Sequence, residues 1–362
     1  LPDQEDKEQN PTDQEQRNSD SIRISSVRPS NTYRRWLWVA VLAFFVIAGQ
    51  TIATLVGRLY FDGGGKSSWM QTLVQLVGFP ILLPFYFFSP TKEHETTDSN
   101  ARQPSPVRAV SVYAVLGLLY LAVCYLYSIG LHYLPVSTFS LITASQLAFN
   151  AAFSYFLNSQ KLTPFILNSV LILTISSALL AFNNEETDSA KVSKAEYITG
   201  FICTVGSSAA YGLYLSLQEL TLRKILKRAT FSQVMEMIIY MGLISSCACM
   251  IGLFASGEWK TLTHEMQQFK TGKVSYIMNL VWTTVAWQLF TIGGTGLIFE
   301  LSALFSNAIN AVGLPVIPIL AVFIFHDKMN GLKVIAMVLA LWGFASYVYQ
   351  NYLDDKRNEE QS

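Results

Sequence analysis

Amide, aromatic and carboxyl side chains lie within the long apolar stretches of this sequence. Polar groups inside a membrane-spanning stretch usually face the bundle interior or a cavity. Gln146 and Asn150 are four residues apart, a spacing that puts both on one face of a helix. Amides carry donors and acceptors, which suits the edge of a planar nitrogen heterocycle, and rings supply stacking faces. The residues that we predict to bind such a ligand are Trp69, Gln75, Gln146, Asn150, Tyr211, Tyr214, Trp282 and Gln288.

These polar and aromatic residues also have simpler roles, which the sequence leaves open. A single amide can tie two neighbouring helices together, for less than ~2 kcal/mol. A tryptophan near the end of a span, as expected for Trp69, is often an anchor at the membrane interface. We expect Trp282 to lie deeper in its span.

Two carboxyl groups, Glu300 and Glu219, are the predicted proton-coupling residues. A carboxyl group in a low-dielectric site can gain and lose a proton near neutral pH, as proton-coupled transport requires. Glu300 is the first choice because no Lys or Arg lies within twenty residues of it. Glu219 precedes the basic cluster at 223–228 and could instead be the electrostatic partner of that cluster.

Basic residues are nearly absent from the apolar stretches, and Arg58 is the one exception that we identify. A phosphate or nucleotide-sugar transporter would need buried cations to compensate the negative charge of its substrate. The pattern therefore favours a neutral or weakly basic solute, with an anion-type transporter of the same architecture as the alternative. The cysteines lie in apolar runs and the histidines in or beside loops, so we predict neither a metal site nor any other cofactor.

The elements that carry these residues are predicted to be transmembrane helices. The chain is 51% hydrophobic and 14% charged, against about 25% charged in soluble domains. Its net charge of zero implies no nucleic-acid partner. Apolar runs of about twenty residues match the ~30 Å thickness of the lipid core. The ten runs are Trp36–Leu59, Ser68–Phe88, Val110–Leu131, Val136–Phe156, Pro164–Phe182, Tyr197–Leu220, Val234–Phe254, Val274–Leu304, Asn307–Phe325 and Leu332–Tyr352.

Two similar loops occur at matching positions in two halves of five runs each. Asn158–Pro164 follows the fourth run and Phe325–Gly331 follows the ninth, with Lys161 and Lys328 in matching positions. Halves with an odd number of spans face opposite ways in the membrane, as in many secondary transporters. We therefore predict an all-α integral membrane protein with ten transmembrane helices in two inverted five-helix repeats, at residues 34–182 and 183–352.

The termini are predicted to be cytosolic tails. Residues 1–33 are too polar to bury a core and are expected to be disordered, and residues 353–362 form the second tail. Lys and Arg near the span ends, above all at 223–228, favour both termini inside. The Gly313–Pro318 stretch of the ninth run predicts a kink, and the glycines of Gly293–Gly296 predict either close helix approach or a bend in the eighth run.

Several short motifs occur between about Trp36 and Tyr352. They are Gly57-Arg-Leu-Tyr-Phe61 with Gly63-Gly64 and Trp69, Leu134-Pro-Val-Ser-Thr138, Ser145-Gln-Leu-Ala-Phe-Asn150, Asn158-Ser-Gln-Lys161, Leu314-Pro-Val-Ile-Pro318, Phe325-His-Asp-Lys-Met329 and Trp342-Gly-Phe344. Together they resemble the plant purine permease family of the drug/metabolite transporter superfamily.

This resemblance implies a ten-helix fold of two inverted repeats. It also implies uptake of adenine-like purines, cytokinins or related alkaloids, driven by protons. The resemblance leaves the plasma, vacuolar and reticulum membranes open, and of these we expect the plasma membrane. The resemblance leaves the physiological substrate open, and the oligomeric state stays unknown. No motif of an intramembrane enzyme is present in the sequence, so we expect no enzymatic activity; a non-transporting membrane receptor is the remaining alternative.

Overall fold

The computed structural model describes residues 29–88, 106–158, 193–225, 231–326 and 330–339, with single positions between 164 and 175 and between 341 and 349. In these residues the regular structure is helical, without strands. The helices are α1 (Pro29–Asp62), α2 (Ser68–Leu76), α3 (Leu83–Phe88), α4 (Pro106–Tyr133), α5 (Val136–Thr143), α6 (Gln146–Asn158), α7 (Lys194–Leu220), α8 (Phe231–Ser256), α9 (Leu262–Gln268), α10 (Lys273–Glu300), α11 (Ala303–Gly313), α12 (Val316–Phe325) and α13 (331–339). By contacts the chain forms two units, Leu1–Val41 and Leu42–Ser362, and the second contains all helices from α2 onward.

Five helical segments of the described chain are long and apolar enough to cross a membrane. They are Arg34–Asp62, Ala109–Tyr133, Lys194–Lys224, Gln233–Ser256 and Phe305–Phe325. Large apolar side chains on them, such as Phe44, Ile251 and Phe323, point outward, which suits lipid as the surrounding solvent. The all-helical fold class is therefore confirmed. The fifth predicted span and much of the tenth lie outside the described residues, and the ten-helix inverted repeat stays a prediction.

Two predicted spans are broken near their middle. The fourth consists of α5 and α6, separated at Ala144 and Ser145, and the ninth consists of α11 and α12, separated at Leu314 and Pro315. Pro315 lacks the N–H that would continue the helix, so the kink predicted there is confirmed; the break in the fourth span was not predicted. Helix α12 packs against α5 and α11 against α6, so the two broken spans run antiparallel.

Glycines bring α1 and α10 into backbone contact. A Cβ atom on Gly49 would lie 2.8 Å from both Ala286 O and Phe290 N, and one on Gly293 would lie 2.6 Å from Leu42 O. The predicted packing role of the Gly293–Gly296 stretch is thus confirmed. This approach places Gln50 beside Phe290 at the centre of the bundle.

Two basic residues join helix ends. The Arg58 guanidinium donates to Leu131 O at 2.9 Å and Leu134 O at 2.8 Å, at the carboxyl end of α4, where a cation is favourable. Lys333 lies in the predicted tenth span, is 1% exposed and donates to Ser137 Oγ at 3.0 Å. The expectation that Arg58 alone is basic within the spans was therefore wrong; a lysine stem is long enough to bury at a span end.

Candidate functional site

A central cavity lies between α1, α2, α4, α5, α6, α7, α10 and α11. The space between protein atoms in this region is about 380 Å³, counted with the solvent at its mouth. Its polar lining residues are Gln50, Gln75, Thr143, Gln146, Ser207, Ser208 and Asn310. Its remaining lining residues are Tyr120, Val123, Cys124, Tyr127, Tyr211, Trp287 and Phe290.

Several polar atoms of this lining have no hydrogen-bond partner in the described part of the chain. The unpaired acceptors are Gln50 Oε1 and Asn310 Oδ1, and the unpaired donors are Gln146 Nε2, Asn310 Nδ2 and Trp287 Nε1. Leaving a buried donor or acceptor unsatisfied costs roughly 1–3 kcal/mol. A ligand or water that offers both donors and acceptors would recover this cost, so these atoms can bind the polar edge of such a ligand.

The aromatic wall of the cavity is fixed by ring–ring contacts. Trp287 meets Tyr127 edge-on, with centroids 5.2 Å apart and an angle of 86°, and meets Phe290 in the same manner at 5.3 Å. Tyr127 OH shares a 2.7 Å hydrogen bond with Thr54. Because each ring is held by another ring or a hydroxyl group, the wall offers preformed flat surfaces to a planar ligand.

The lining contains no ionisable carboxyl, ammonium or guanidinium group among the described residues. An anionic substrate would need cations to replace its hydration. Neither Arg58 nor Lys333 lies in the lining, since both hold helix ends. The cavity is therefore suited to an uncharged ligand.

The structure brings part of the predicted site together. Gln75, Gln146 and Tyr211 line the central cavity. Gln75 Nε2 is held by Gln71 O at 3.1 Å and Ser128 Oγ at 2.8 Å. Tyr214 and Gln288 line two adjoining smaller voids instead.

The other predicted binding residues lie outside the central lining. Asn150 is buried in a network with Ser216 Oγ, at 2.9 Å, and Ala303 O, at 3.3 Å. The Trp69 ring stacks on Tyr125 with centroids 4.3 Å apart. Trp282 is 59% exposed on the outer face of α10.

The two predicted proton-coupling acids lie near the α10–α11 junction, outside the central lining. Glu219 is 1% exposed and pairs with Arg223 at 2.9 Å. It also accepts hydrogen bonds from Asn158 Nδ2 at 3.0 Å and Ala303 N at 3.3 Å. Glu300 is the half-buried last residue of α10.

Several lining residues were not among the predicted site residues: Gln50, Tyr120, Tyr127, Trp287, Phe290 and Asn310. A helical signal for some of them was present in the sequence. Tyr120, Val123, Cys124 and Tyr127 are spaced i, i+3, i+4 and i+7, which is one face of α4. Gln50 and Asn310 are amides within apolar runs, like the amides that we predicted to bind the ligand. Residue type alone does not show which of these amides line a cavity.

Known proteins match this chain along most of its length. A family model described as purine nucleobase transmembrane transport matches residues 37–357. Probable purine permease 10 of Arabidopsis thaliana is 69% identical over 350 residues, covering 97% of this chain and 90% of the relative. Purine permease 21 of the same plant is 66% identical over 352 residues, with the same coverage of each chain.

These matches agree with the apolar outer faces and the buried polar cavity. They identify an integral membrane protein of a transporter family, and not an enzyme. The resemblance inferred from the sequence motifs is therefore confirmed. With a family model over residues 37–357 and relatives above 60% identity, the chain belongs to the plant purine permease family.

Proposed function

We propose that this protein is a secondary active transporter that binds uncharged planar purines in its central cavity. The observation that carries the proposal is the lining itself: unpaired amide and indole atoms beside aromatic rings, without a charged side chain. A purine base presents ring nitrogens and an exocyclic amine in one plane. The relatives are purine permeases by name, which points to the same substrate class.

Binding would use the polar edge and the flat faces of the base together. Gln146 and Asn310 would bond the edge, with Gln50 and Gln75 beside them, while Trp287 and Tyr211 would contact the ring. Adenine-like bases, cytokinins and related alkaloids share this combination. Tyr214 and Gln288 line the two adjoining voids and would, like Asn150 and Trp69, support the walls of the cavity.

Transport would be coupled to protons through Glu300 or, as second choice, Glu219. Both acids are at the α10–α11 junction, where a change of protonation can alter how the broken ninth span is held. The connection of Glu219 to Ala303 N supports this reading, because it joins a titratable group to the first residue of α11.

Alternating access would follow from two inverted repeats that rock about the cavity. The antiparallel packing of the two broken spans supports this arrangement. Both termini would be cytosolic and the protein would reside in the plasma membrane, with Arg34, Arg35, Arg223 and Lys224 on the cytosolic side.

The experiment is uptake of radiolabelled adenine by proteoliposomes under an imposed pH gradient. We expect saturable, gradient-dependent accumulation that unlabelled adenine inhibits and adenosine monophosphate does not. Inhibition by the nucleotide would favour the anion-type transporter, and binding without accumulation would favour a receptor. Gln146→Leu should weaken adenine binding roughly tenfold, because one edge partner is lost.

A further inference from the structure

Tyr120 is the residue that three neighbouring voids have in common within the described chain. The first is the central cavity. The second, of about 240 Å³, extends along α7 and α10 toward Gln218 and Thr295. The third, of about 300 Å³, lies between α2, α8 and α10. Tyr120 thus stands where the central cavity would otherwise open into both side chambers.

The Tyr120 ring is fixed in this position. It projects from α4, is 8% exposed, and stacks on Tyr214 with centroids 4.9 Å apart at an angle of 24°. Leu116, on the preceding turn, and Cys124, on the following turn, are buried in the same apolar cluster. A ring held on several sides is a wall and not a mobile side chain.

Both side chambers are lined by apolar and polar side chains. In the second, Gln218 Nε2 donates to Thr295 Oγ1 at 3.1 Å, so these two polar groups already bind each other. The third is lined by Leu76, Phe79, Ile238 and Met241, together with the polar Gln75, Gln288 and Thr291. Its four apolar side chains offer an alkyl or aromatic group attached to a base a surface to pack against.

We propose that Tyr120 is a specificity-determining residue, whose ring limits the apolar substituents accepted on the bound base by separating the central cavity from the third chamber. This inference rests on the proposed purine transport. A base without a substituent fits the central cavity with the wall in place. A bulky apolar substituent on the exocyclic amine would need the space that the ring occupies.

The test compares dissociation constants for adenine and N6-benzyladenine, measured from ligand-induced thermal stabilisation of the purified full-length protein. In Tyr120→Ala, the affinity for N6-benzyladenine relative to adenine should rise about tenfold. Tyr120→Phe keeps the ring and should retain the wild-type ratio. Adding Ile238→Trp to Tyr120→Ala refills the third chamber and should return the ratio toward wild type.

The outcomes separate the two proposals. A wild-type protein that binds neither compound and does not take up adenine contradicts the purine function itself. If the wild type binds adenine but folded Tyr120→Ala shows an unchanged ratio, or binds neither compound, the role of Tyr120 is wrong. The role of Tyr120 is also wrong if the gain in relative affinity for N6-benzyladenine persists after Ile238→Trp, because the benzyl group then lies outside the third chamber. Should Tyr120→Ala not fold, Tyr120→Leu is judged by the same ratios.

Discussion

The carboxylate of Glu219 accepts a hydrogen bond from the backbone N–H of Ala303, with 3.3 Å between nitrogen and Oε2. The carbonyl oxygen of Ala303 in turn accepts from Asn150 Nδ2, also at 3.3 Å. One residue at the start of α11 is thus held from both sides, by the end of α7 and by α6. The buried acid therefore organises the junction of three helices.

Glu219 should contribute more to stability than its partner Arg223. Glu219→Ala leaves the buried Ala303 N–H without its acceptor, at roughly 1–3 kcal/mol, and removes one of the two acceptors of Asn158 Nδ2, the other being Ser216 O at 3.2 Å. The Arg223 side chain is 57% exposed, and without it Glu219 still accepts hydrogen bonds from Asn158 and Ala303. We expect a clearly lower apparent melting temperature for Glu219→Ala than for Arg223→Ala, measured in detergent. Equal effects would mean that the ion pair, and not the hydrogen bonding, holds the junction.

Proton coupling is predicted to depend on Glu300. Glu300→Gln keeps the shape of the side chain but cannot exchange a proton, so adenine uptake should lose its dependence on pH. Initial uptake rates at a series of external pH values measure this. Glu219→Gln is measured in parallel as the second candidate. An unchanged pH profile in both variants would exclude both acids as the coupling group.

The two tryptophans of α10 form a matched pair. Trp287 is buried in the cavity wall and Trp282 is exposed on the outer face. Trp287→Ala should weaken adenine binding about two- to tenfold, the value of an aromatic contact, while Trp282→Ala should not. Binding is measured by thermal stabilisation with adenine. The opposite result would restore the role that we predicted from the sequence for Trp282.

Two glycines of α7 test the packing that supports the cavity. A Cβ atom on Gly212 would lie 2.6 Å from the backbone nitrogen of Asn150, whereas one on Gly206 would meet only Leu126 Cδ1, at 3.6 Å. Gly212→Ala should lower the apparent melting temperature, because backbone cannot yield as a flexible side chain does. Gly206→Ala should leave it unchanged. Similar values for the two variants would show that α6 and α7 separate without cost.

The sequence predicted the helices well and the site in part, for a physical reason. Apolar run length determines where a helix crosses lipid. Helices α4, α7 and α8 begin and end within a few residues of the predicted spans. Helix α1 does so at its carboxyl end, and begins several residues earlier than predicted. Residue spacing gives direction but not depth: Asn150 shares a face with Gln146, yet lies one turn further along and meets Gly212 instead of the cavity.

The direction in which a side chain points could not be predicted for a helix whose buried face was unknown. Trp282 and Trp287 are five residues apart, so at about 100° per residue they point about 140° away from each other. Only the neighbours of α10 determine which of the two faces inward. Those neighbours are α1, α2, α8, α9 and α11, and this tertiary arrangement cannot be read from one helix alone.

The contact of α1 with α10 at Gly49 limits how this protein can diversify. Gln50, Trp287 and Phe290 line the cavity from these two helices, but at the seam between the helices a Cβ atom on Gly49 or Gly293 would meet backbone. Relatives that acquire new substrates can therefore change the lining side chains, whereas the glycines of the seam have to stay. Natural variation in substrate preference should concentrate in the lining, and Gly49 and Gly293 should accept few replacements.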